Sequence, residues 1–476
     1  MQKANGNDLP SVLDAVEKTR STIQRICAEV WQEAELSKEE VKSAQIHIRE
    51  LEAAGFAITS RGTSGYPTAF VAEWRQGEGG AKLGFLPEYD ALPHLGNAPV
   101  SEQAPRSDNR TSGHGCGHNL LGAGCTGAAI ALKQLMEQDS VAGTLRVYGC
   151  AAEESAGVKV YMARDGLFDD LDACLAWHSA PMAMVGPVRA AAVNQIQVEF
   201  FGKSAHAGFA PWEGRSALHA LELFAHGVNL MREHMEPTTR IQYTFDTAGA
   251  AVNVVSDYTR LRMTIRDKDR GRVEAITEWA RQIAEGAALG TQTRTKFEVQ
   301  FGLWDLLPNG PIIERTYANM AKVGMPQWTE EEQSFARACQ MNMGVPELGM
   351  ATKLSPLAPE ISVGGSTDVA DVSWNTPTGV FVMPTLPLGV GLHTWPVTAC
   401  GGMSIGLKGA MAAAAVMTAT GYDLLTDAKL RAAARADFEK RKGGTQYVSA
   451  VSQEPNDPAG LTWMLKDAHE EMVAVP

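Results

Sequence analysis

The chain has 476 residues, of which 45% are hydrophobic and 20% are charged. At roughly 100–200 residues per domain this length predicts at least two domains, and the composition excludes collagen-like, disordered and disulfide-scaffold proteins. The 55 acidic and 42 basic residues give a net charge of −13. An acidic surface repels a phosphate backbone, so nucleic acid is not an expected partner.

The sequence also predicts no membrane partner. It lacks the run of ~18–20 apolar residues that a membrane helix needs, and its start, MQKANGNDLP, has no apolar core of the kind found in signal peptides. The seven cysteines are scattered and odd in number. Reduced thiols in a cytoplasmic protein are the simplest interpretation.

The first part of the chain predicts helices and then alternating strands and helices. Apolar residues at helical spacing predict two helices over 11–54, with Ser37-Lys38-Glu39-Glu40 as a capping box. The pattern then predicts strands at 68–74, 82–86, 144–150 and 173–177 and helices at 119–137 and 158–165. This alternation is typical of a mostly parallel sheet between helices, with the active site at the carboxyl ends of the strands.

The pattern changes near residue 188. Strand, helix, strand, strand, helix and strand are predicted in turn, at 194–201, 215–233, 240–245, 259–266, 272–285 and 295–301. This order predicts a compact two-layer α+β unit. We therefore expect an α/β protein in which residues 1–187 and 304–476 form a discontinuous catalytic, metal-binding domain. Residues 188–303 would form an inserted domain.

The strongest chemical signal is the segment Gly113–Asn119, which reads GHGCGHN. Its Cys116 and His118 are two residues apart with a glycine between them, in a tight loop that leads into an apolar helix. A thiolate and a neutral imidazole are good ligands for a divalent metal ion. A glycine-rich turn with a buried cysteine is the structural alternative.

Further polar residues follow the predicted strands or lie in loops. Glu153 and Glu154 follow one strand, His178 follows another, His393 lies in a loop, and Asp90 is in the segment EYDALP. Adjacent carboxylates can divide their roles, so that one binds a metal and the other accepts a proton. Each residue alone has an ordinary explanation, as a solvated pair, a structural histidine or a turn residue. Together they predict one crevice, because the carboxyl ends of parallel strands converge.

The segments EYDALP, HGCGHNLLG, AEES, GSTDVADVSW and LHT, in this order, resemble the M20 family of metal-dependent amidohydrolases and peptidases over essentially the whole chain. The branch with a Cys-Gly-His motif is the most similar. It includes aminoacyl-amide hydrolases, N-acyl amino acid deacylases and, with the closest wording, hydrolases of p-aminobenzoyl-glutamate. The resemblance implies two divalent metal ions, zinc or manganese. Cys116 would bridge them, with His118 and His178 on one side and Glu154 and His393 on the other.

The resemblance also implies roles beside the metals. Glu153 would be the general base, and Asp90 would orient a metal-bound histidine. The wider family has His-x-Asp where this chain has Glu88-Tyr89-Asp90. The usual first ligand is therefore absent, and we expect His118 to replace it.

For the inserted domain the resemblance implies a lid that drives homodimerisation. Its His206, in GKSAHAGFAP, would stabilise the oxyanion, in its own or in the partner's active site. Positions equivalent to Lys203, Asn253 and Arg266 bind substrate carboxylates in relatives that cleave C-terminal glutamate. A solvated strand face is the alternative for Lys203 and Arg266. A related second subunit is an additional possible partner.

These features predict hydrolysis of an amide bond in an N-acyl or aminoacyl amino acid, with a p-aminobenzoyl-glutamate-type compound as the first candidate substrate. Water activated by the metals would attack the amide, with Glu153 as the base. A dipeptidase or an N-acyl-amino-acid deacylase is the alternative within the family. A non-catalytic metal-binding regulatory subunit is the alternative of another class, although the presence of both Glu153 and the full ligand set argues against it. Thiol catalysis by Cys116 is disfavoured, since histidines flank it at metal-ligand spacing.

Overall fold

The structure is a computed structural model that describes residues 8–357 and 359–451. The remaining parts of the predicted catalytic domain, residues 1–7, 358 and 452–476, lie outside the described residues. The strands within the described ranges are β1 (Ala57–Arg61), β2 (Phe70–Gln76), β3 (Ala81–Phe85), β4 (Gly143–Gly149), β5 (Ala173–Ala180), β6 (Val188–Ala190), β7 (Ala192–Phe201), β8 (Arg240–Thr247), β9 (Tyr258–Asp267), β10 (Arg294–Leu303), β11 (Ile361–Val363) and β12 (Thr378–Pro384).

The α-helices of the same ranges are α1 (Leu9–Lys18), α2 (Arg20–Glu33), α3 (Val41–Ala53), α4 (His118–Asp139), α5 (Val158–Arg164), α6 (Ala217–Arg232), α7 (Arg270–Thr291), α8 (Gly310–Val323), α9 (Glu330–Met343), α10 (Val369–Ser373), α11 (Trp395–Gly401), α12 (Ser404–Thr426) and α13 (Ala428–Lys442). No single helix among these described elements is long and apolar enough to cross a membrane. Only α11 and α12 taken together have the length and composition of a membrane span, and they are bent by 74° relative to each other.

The larger sheet has six strands in the order β1-β2-β4-β3-β5-β12. Strands β4, β3, β5 and β12 are parallel neighbours, whereas β1 and β2 form an antiparallel edge. This confirms the predicted mainly parallel sheet with flanking helices. Its parallel strands bring the loops after β3, β4 and β5 to one edge, as in other sheets of this kind.

Helix α4 is buried in the core and begins directly after the loop that contains Cys116. The helix is rich in glycine and alanine and is buried from His118 to Leu132. The residue before it, Gly117, has a φ of +81°, and a Cβ placed there would lie 2.6 Å from Ser179 Oγ. Only glycine fits this left-handed turn against β5. The turn therefore places Cys116 and His118 beside the end of that strand.

The smaller sheet has four antiparallel strands in the order β10-β7-β9-β8. Helices α6 and α7 pack on it and share with it an apolar core separate from the core of the larger sheet. The order of strands and helices agrees with the predicted two-layer unit. The division into domains at residues 188 and 303 stays a prediction; β6, at its predicted start, pairs with β11 from later in the chain.

Two local predictions were wrong. Residues 11–54 form parts of three helices rather than two. The first predicted helix is interrupted at Thr19, which separates α1 from α2 and whose hydroxyl donates to the Ala15 carbonyl. The capping box at Ser37–Glu40 is also absent. The Ser37 hydroxyl donates instead to Asp90 Oδ2, and the Glu40 carboxylate accepts from Thr68 and Ala152. Both side chains are used by tertiary contacts rather than by the helix terminus.

Candidate metal centre and active site

The five residues expected as metal ligands lie together. They form two groups that share Cys116, one with His118 and His178 and the other with Glu154 and His393. Within each group one donor atom of every residue lies within 4.8 Å of the others. This grouping agrees with the one that the resemblance implies, including the shared position of the thiol.

The ligands come from four separate parts of the chain. His118 is the first residue of α4 and Cys116 lies in the turn before it, Glu154 follows β4, and His178 is in β5. His393 lies in the loop before α11, where its φ is 60° and its backbone N–H donates to the Gly115 carbonyl at 2.8 Å. This hydrogen bond connects the His393 loop directly to the Cys116 loop.

Asp90 fixes the ring of His118. Its Oδ1 lies 2.8 Å from His118 Nδ1, and its Oδ2 accepts the Glu154 backbone N–H at 2.9 Å. Burial alone would raise the pKa of Asp90, but the charge of His118 and its hydrogen bond outweigh burial and lower it to about 2. Since Nδ1 is engaged, Nε2 of His118 is the atom available to a metal. Through this contact Asp90 would orient the ring of a metal-bound histidine, a role that stays a prediction.

The donor atoms fit a pair of divalent cations. His118 Nε2 and Glu154 Oε1 are buried and have no hydrogen-bond partner, although buried polar groups normally have one. Cys116 Sγ lies 3.4 Å from His178 Nε2. Burial raises the pKa of the Cys116 thiol, so a nearby cation is needed to hold it as a thiolate. Sulfur, imidazole nitrogen and carboxylate oxygen together suit a transition-metal ion.

Glu153 belongs to neither group that contains Cys116, but with Glu88 and His118 it forms a third group of closely spaced donor atoms. Its Oε2 is 3.8 Å from His118 Nε2. Burial and the neighbouring carboxylates of Glu88 and Glu154 raise the pKa of Glu153 well above its ordinary value. A carboxylate in such surroundings can take up a proton and later return it.

The sequence prediction missed a buried ion-pair network next to the ligands. Lys159, which has no exposed surface, places Nζ 2.9 Å from Glu88 Oε1 and 2.6 Å from Asp368 Oδ1. The other Glu88 oxygen lies 3.5 Å from His118 Nε2. The one feature of the sequence that pointed to this network was Glu88, which stands where the wider family has a histidine. Nothing in the sequence around Lys159 indicates that it is buried among carboxylates.

His206 and Asn253 lie next to each other on the surface. His206 is exposed, and its Nδ1 accepts the backbone N–H groups of Gly208 and Phe209 at 3.2 and 3.1 Å. Its Nε2 must therefore carry the proton in the neutral ring. The Asn253 carbonyl accepts the N–H of Ala207 at 2.9 Å. This surface position leaves the His206 ring free to donate a hydrogen bond.

Lys203 is also exposed and exchanges backbone hydrogen bonds with Arg215. Arg266 lies near the far end of β9, about 26 Å along the strand from Tyr258, where β9 begins five residues after Asn253. Its Nη1 donates to Ser366 Oγ at 2.9 Å, two residues from Asp368. The chain therefore does not bring the three expected substrate-binding residues together.

Comparison with known proteins identifies the family of this chain. Residues 85–450 match the profile of Peptidase family M20/M25/M40. The chain is 35% identical over 444 residues to a subunit of the p-aminobenzoyl-glutamate hydrolase of Escherichia coli, covering 88% of this chain and 92% of that protein.

Two further relatives cover most of the chain. A human Xaa-Arg dipeptidase is 26% identical over 92% of this chain and 93% of its own length. The crystal structure of an aminobenzoyl-glutamate utilization protein from Klebsiella pneumoniae has the same fold, with a TM-score of 0.57 at 17% identity over 85% of this chain and 97% of that one. The chain therefore belongs to the M20/M25/M40 peptidase family and is a metal-dependent amidohydrolase.

Proposed function

We propose that this enzyme hydrolyses the amide bond of an aryl-amide of glutamate, of the p-aminobenzoyl-glutamate type. The observation that supports the reaction best is the placement of Glu153 beside two groups of ligands that share Cys116. The relative from Escherichia coli, which is named for this substrate, supports the substrate class.

The residues divide the reaction between them. When bound, the two divalent cations supply Lewis acidity, which lowers the pKa of water toward ~7 and polarises the amide carbonyl. Glu153 accepts the proton of the attacking water and returns it to the nitrogen of the leaving amine. Asp90 holds the His118 ring at Nδ1 and the Glu154 backbone through its second oxygen, so both ligands keep their orientation during the reaction.

We propose zinc or manganese as the metal. The Cys116 thiolate and the imidazoles of His118, His178 and His393 favour zinc, whereas the carboxylate of Glu154 is also suited to manganese. Metal content measured on protein purified without added metal, and activity restored separately with each ion, would distinguish the two.

We further propose a homodimer formed through residues 188–303, in which His206 serves the partner's active site. Its exposed ring supports this role, and so do the neighbouring Phe209 and Trp212, whose side chains are 79% and 71% exposed. Lys203, Asn253 and Arg266 would bind the carboxylates of the substrate, Arg266 from the end of β9 and the other two from the His206 surface. A related second subunit is an alternative partner.

The free cysteines support a reducing compartment, and we propose the cytoplasm. All seven are buried and unpaired with one another by disulfides, as is usual for cytoplasmic proteins.

The substrate is tested by comparing kcat/KM for p-aminobenzoyl-glutamate, a dipeptide with C-terminal arginine and an N-acetyl amino acid, on protein with measured metal content. We expect at least a tenfold preference for the first compound. A preference for the dipeptide would overturn the substrate proposal in favour of a dipeptidase. No cleavage of any of the three by the metal-loaded protein would support the regulatory-subunit alternative.

A further inference from the structure

Two buried carboxylates hold the backbone on either side of Glu153. Glu40 accepts the Ala152 N–H at 2.8 Å, and Asp90 accepts the Glu154 N–H at 2.9 Å. The residue between these two hydrogen bonds is the candidate general base. The resemblance implies that Asp90 orients a metal-bound histidine, but it implies no role for Glu40.

Glu40 is itself firmly placed. It has no exposed surface and lies at the N-terminus of α3. Its second carboxylate oxygen accepts the Thr68 hydroxyl at 2.8 Å, and the Thr68 carbonyl accepts the hydroxyl of Tyr89 at 2.7 Å. Tyr89 immediately precedes Asp90 in the chain, so the two supports of the Glu153 segment are connected to each other.

The backbone that Glu40 holds is in an unfavourable conformation. Ala152 has a φ of 52°, in the left-handed region that residues other than glycine seldom adopt. Its carbonyl accepts the N–H groups of Ala156 at 3.0 Å and Gly157 at 2.7 Å, which forms the turn that leads into α5. Such a conformation persists only where the surroundings impose it. The buried Glu40 hydrogen bond supplies that constraint on the amino side of Glu153.

We propose that Glu40 is a positioning residue for the hydrolysis: by binding the Ala152 N–H it holds the turn that directs the Glu153 carboxyl toward the metal ligands. The side-chain hydrogen bonds of Glu40 go to Thr68 and Ala152 rather than to a candidate ligand, so we expect its effect on the base and not on metal affinity. This inference rests on the proposed role of Glu153. An error in the position of a reacting group of about 1 Å can lower a rate ~100-fold.

The test uses three substitutions of Glu40 in the full-length, metal-loaded enzyme, with p-aminobenzoyl-glutamate as the probe. Glu40→Leu removes the acceptor, and Glu40→Asp shortens it beyond reach of the Ala152 N–H. Both are expected to lower kcat by about 10- to 100-fold, with KM within threefold of the original and the metal content unchanged. Glu40→Gln keeps an acceptor oxygen and should retain kcat within threefold. Glutamine has the same length and shape as glutamate, so its amide oxygen can still accept the Ala152 N–H.

Glu50→Leu is the matched control. Glu50 is another buried glutamate at α3, but it pairs with Arg25 and Arg49 rather than with the Glu153 turn. Its substitution should leave kcat unchanged. If Glu40→Leu does not fold, the inference is tested by comparing kcat in Glu40→Asp and Glu40→Gln, since both variants keep a polar side chain.

Three outcomes would overturn the inference: kcat within threefold of the original in Glu40→Leu or Glu40→Asp, loss of metal from these variants, or an equal loss of kcat in Glu40→Gln. Glu153→Gln is measured in parallel. If Glu153→Gln turns over normally, the proposed base is wrong whatever Glu40 does. If Glu153→Gln is inactive and the Glu40 variants are normal, only the positioning role fails.

Discussion

Asp90 Oδ1 lies 2.8 Å from His118 Nδ1, while the other oxygen of the same carboxylate accepts the backbone N–H of Glu154. His118 belongs to one candidate metal group and Glu154 to the other. One buried side chain therefore contacts a candidate ligand in each group. Ser37 adds a third hydrogen bond to this carboxylate at 2.7 Å.

Asp90→Asn is expected to weaken metal binding by ~10- to 100-fold, as is typical when a group that orients a metal ligand is removed. The amide cannot accept from both His118 and the Glu154 N–H with the strength of a carboxylate. Titration of the metal-free protein in competition with a chromogenic chelator measures the effect. Asp14→Asn, at an exposed position on α1, is the control, and equal affinities in the two variants would contradict the orienting role.

Glu153→Gln should retain two metals per chain and lose turnover by ~10²- to 10⁴-fold, the usual contribution of a general base. The amide has nearly the same shape, but it cannot accept the proton of the attacking water. Its neighbour provides the contrast, because Glu154→Gln should lose metal together with activity. Metal analysis and kcat on the same samples separate the two roles. Near-normal turnover in Glu153→Gln would remove that residue from catalysis.

Much of the sheet and of the ligand set could be predicted because both depend on local patterns. Apolar runs mark β3, β4 and β5, and the polar residues that follow them are those that the parallel sheet brings to one edge. Order along the chain is enough to predict that Cys116, Glu154 and His178 meet.

The supporting contacts could not be predicted in this way, since they join residues far apart in the chain. The Ser37–Glu40 segment fits a capping box locally, yet its side chains reach Asp90 and Ala152, 53 and 112 residues away. Lys159 lies in the short helix α5, and its partners Glu88 and Asp368 come from two other loops. The spacing of apolar residues along the sequence contains no information about such contacts.

Lys159→Met is expected to destabilise the protein by about 3–5 kcal/mol, because it leaves the buried carboxylates of Glu88 and Asp368 without their cation. Lys42, which pairs with Glu33 at 2.8 Å on the surface, is the control. Its substitution by methionine should cost less than about 1 kcal/mol. Urea unfolding of both variants measures the difference, and similar midpoints would show that the Lys159 network contributes little.

The His393–Glu154 pair predicts opposite pH dependences for stability and metal binding. His393 Nε2 lies 3.5 Å from Glu154 Oε2, and hydrogen bonding to Glu154 raises the pKa of the half-exposed His393. In metal-free protein this pair stabilises the fold fully below pH ~6.5, the unfolded value for histidine, and the contribution disappears as pH rises through the folded pKa.

Metal binding needs the neutral ring and should strengthen over the same pH range. Thermal unfolding of the original protein and of His393→Gln, both in chelator, should therefore converge as pH rises, while metal affinity of the original protein increases. A stability difference that grows with pH would contradict the assignment of this pair.

The exposed position of His206 predicts complementation between inactive variants. If His206 serves the partner's active site, His206→Ala and Glu153→Gln are each inactive, but a mixed dimer contains one site with both original residues. Equal amounts of the two chains, unfolded and refolded together, should recover about a quarter of the original kcat, since about half of the dimers are mixed and each has one intact site. Refolding each variant alone is the control. If the mixture stays inactive while gel filtration shows dimers, His206 acts within its own chain. If His206→Ala is active when refolded alone, His206 has no part in the reaction.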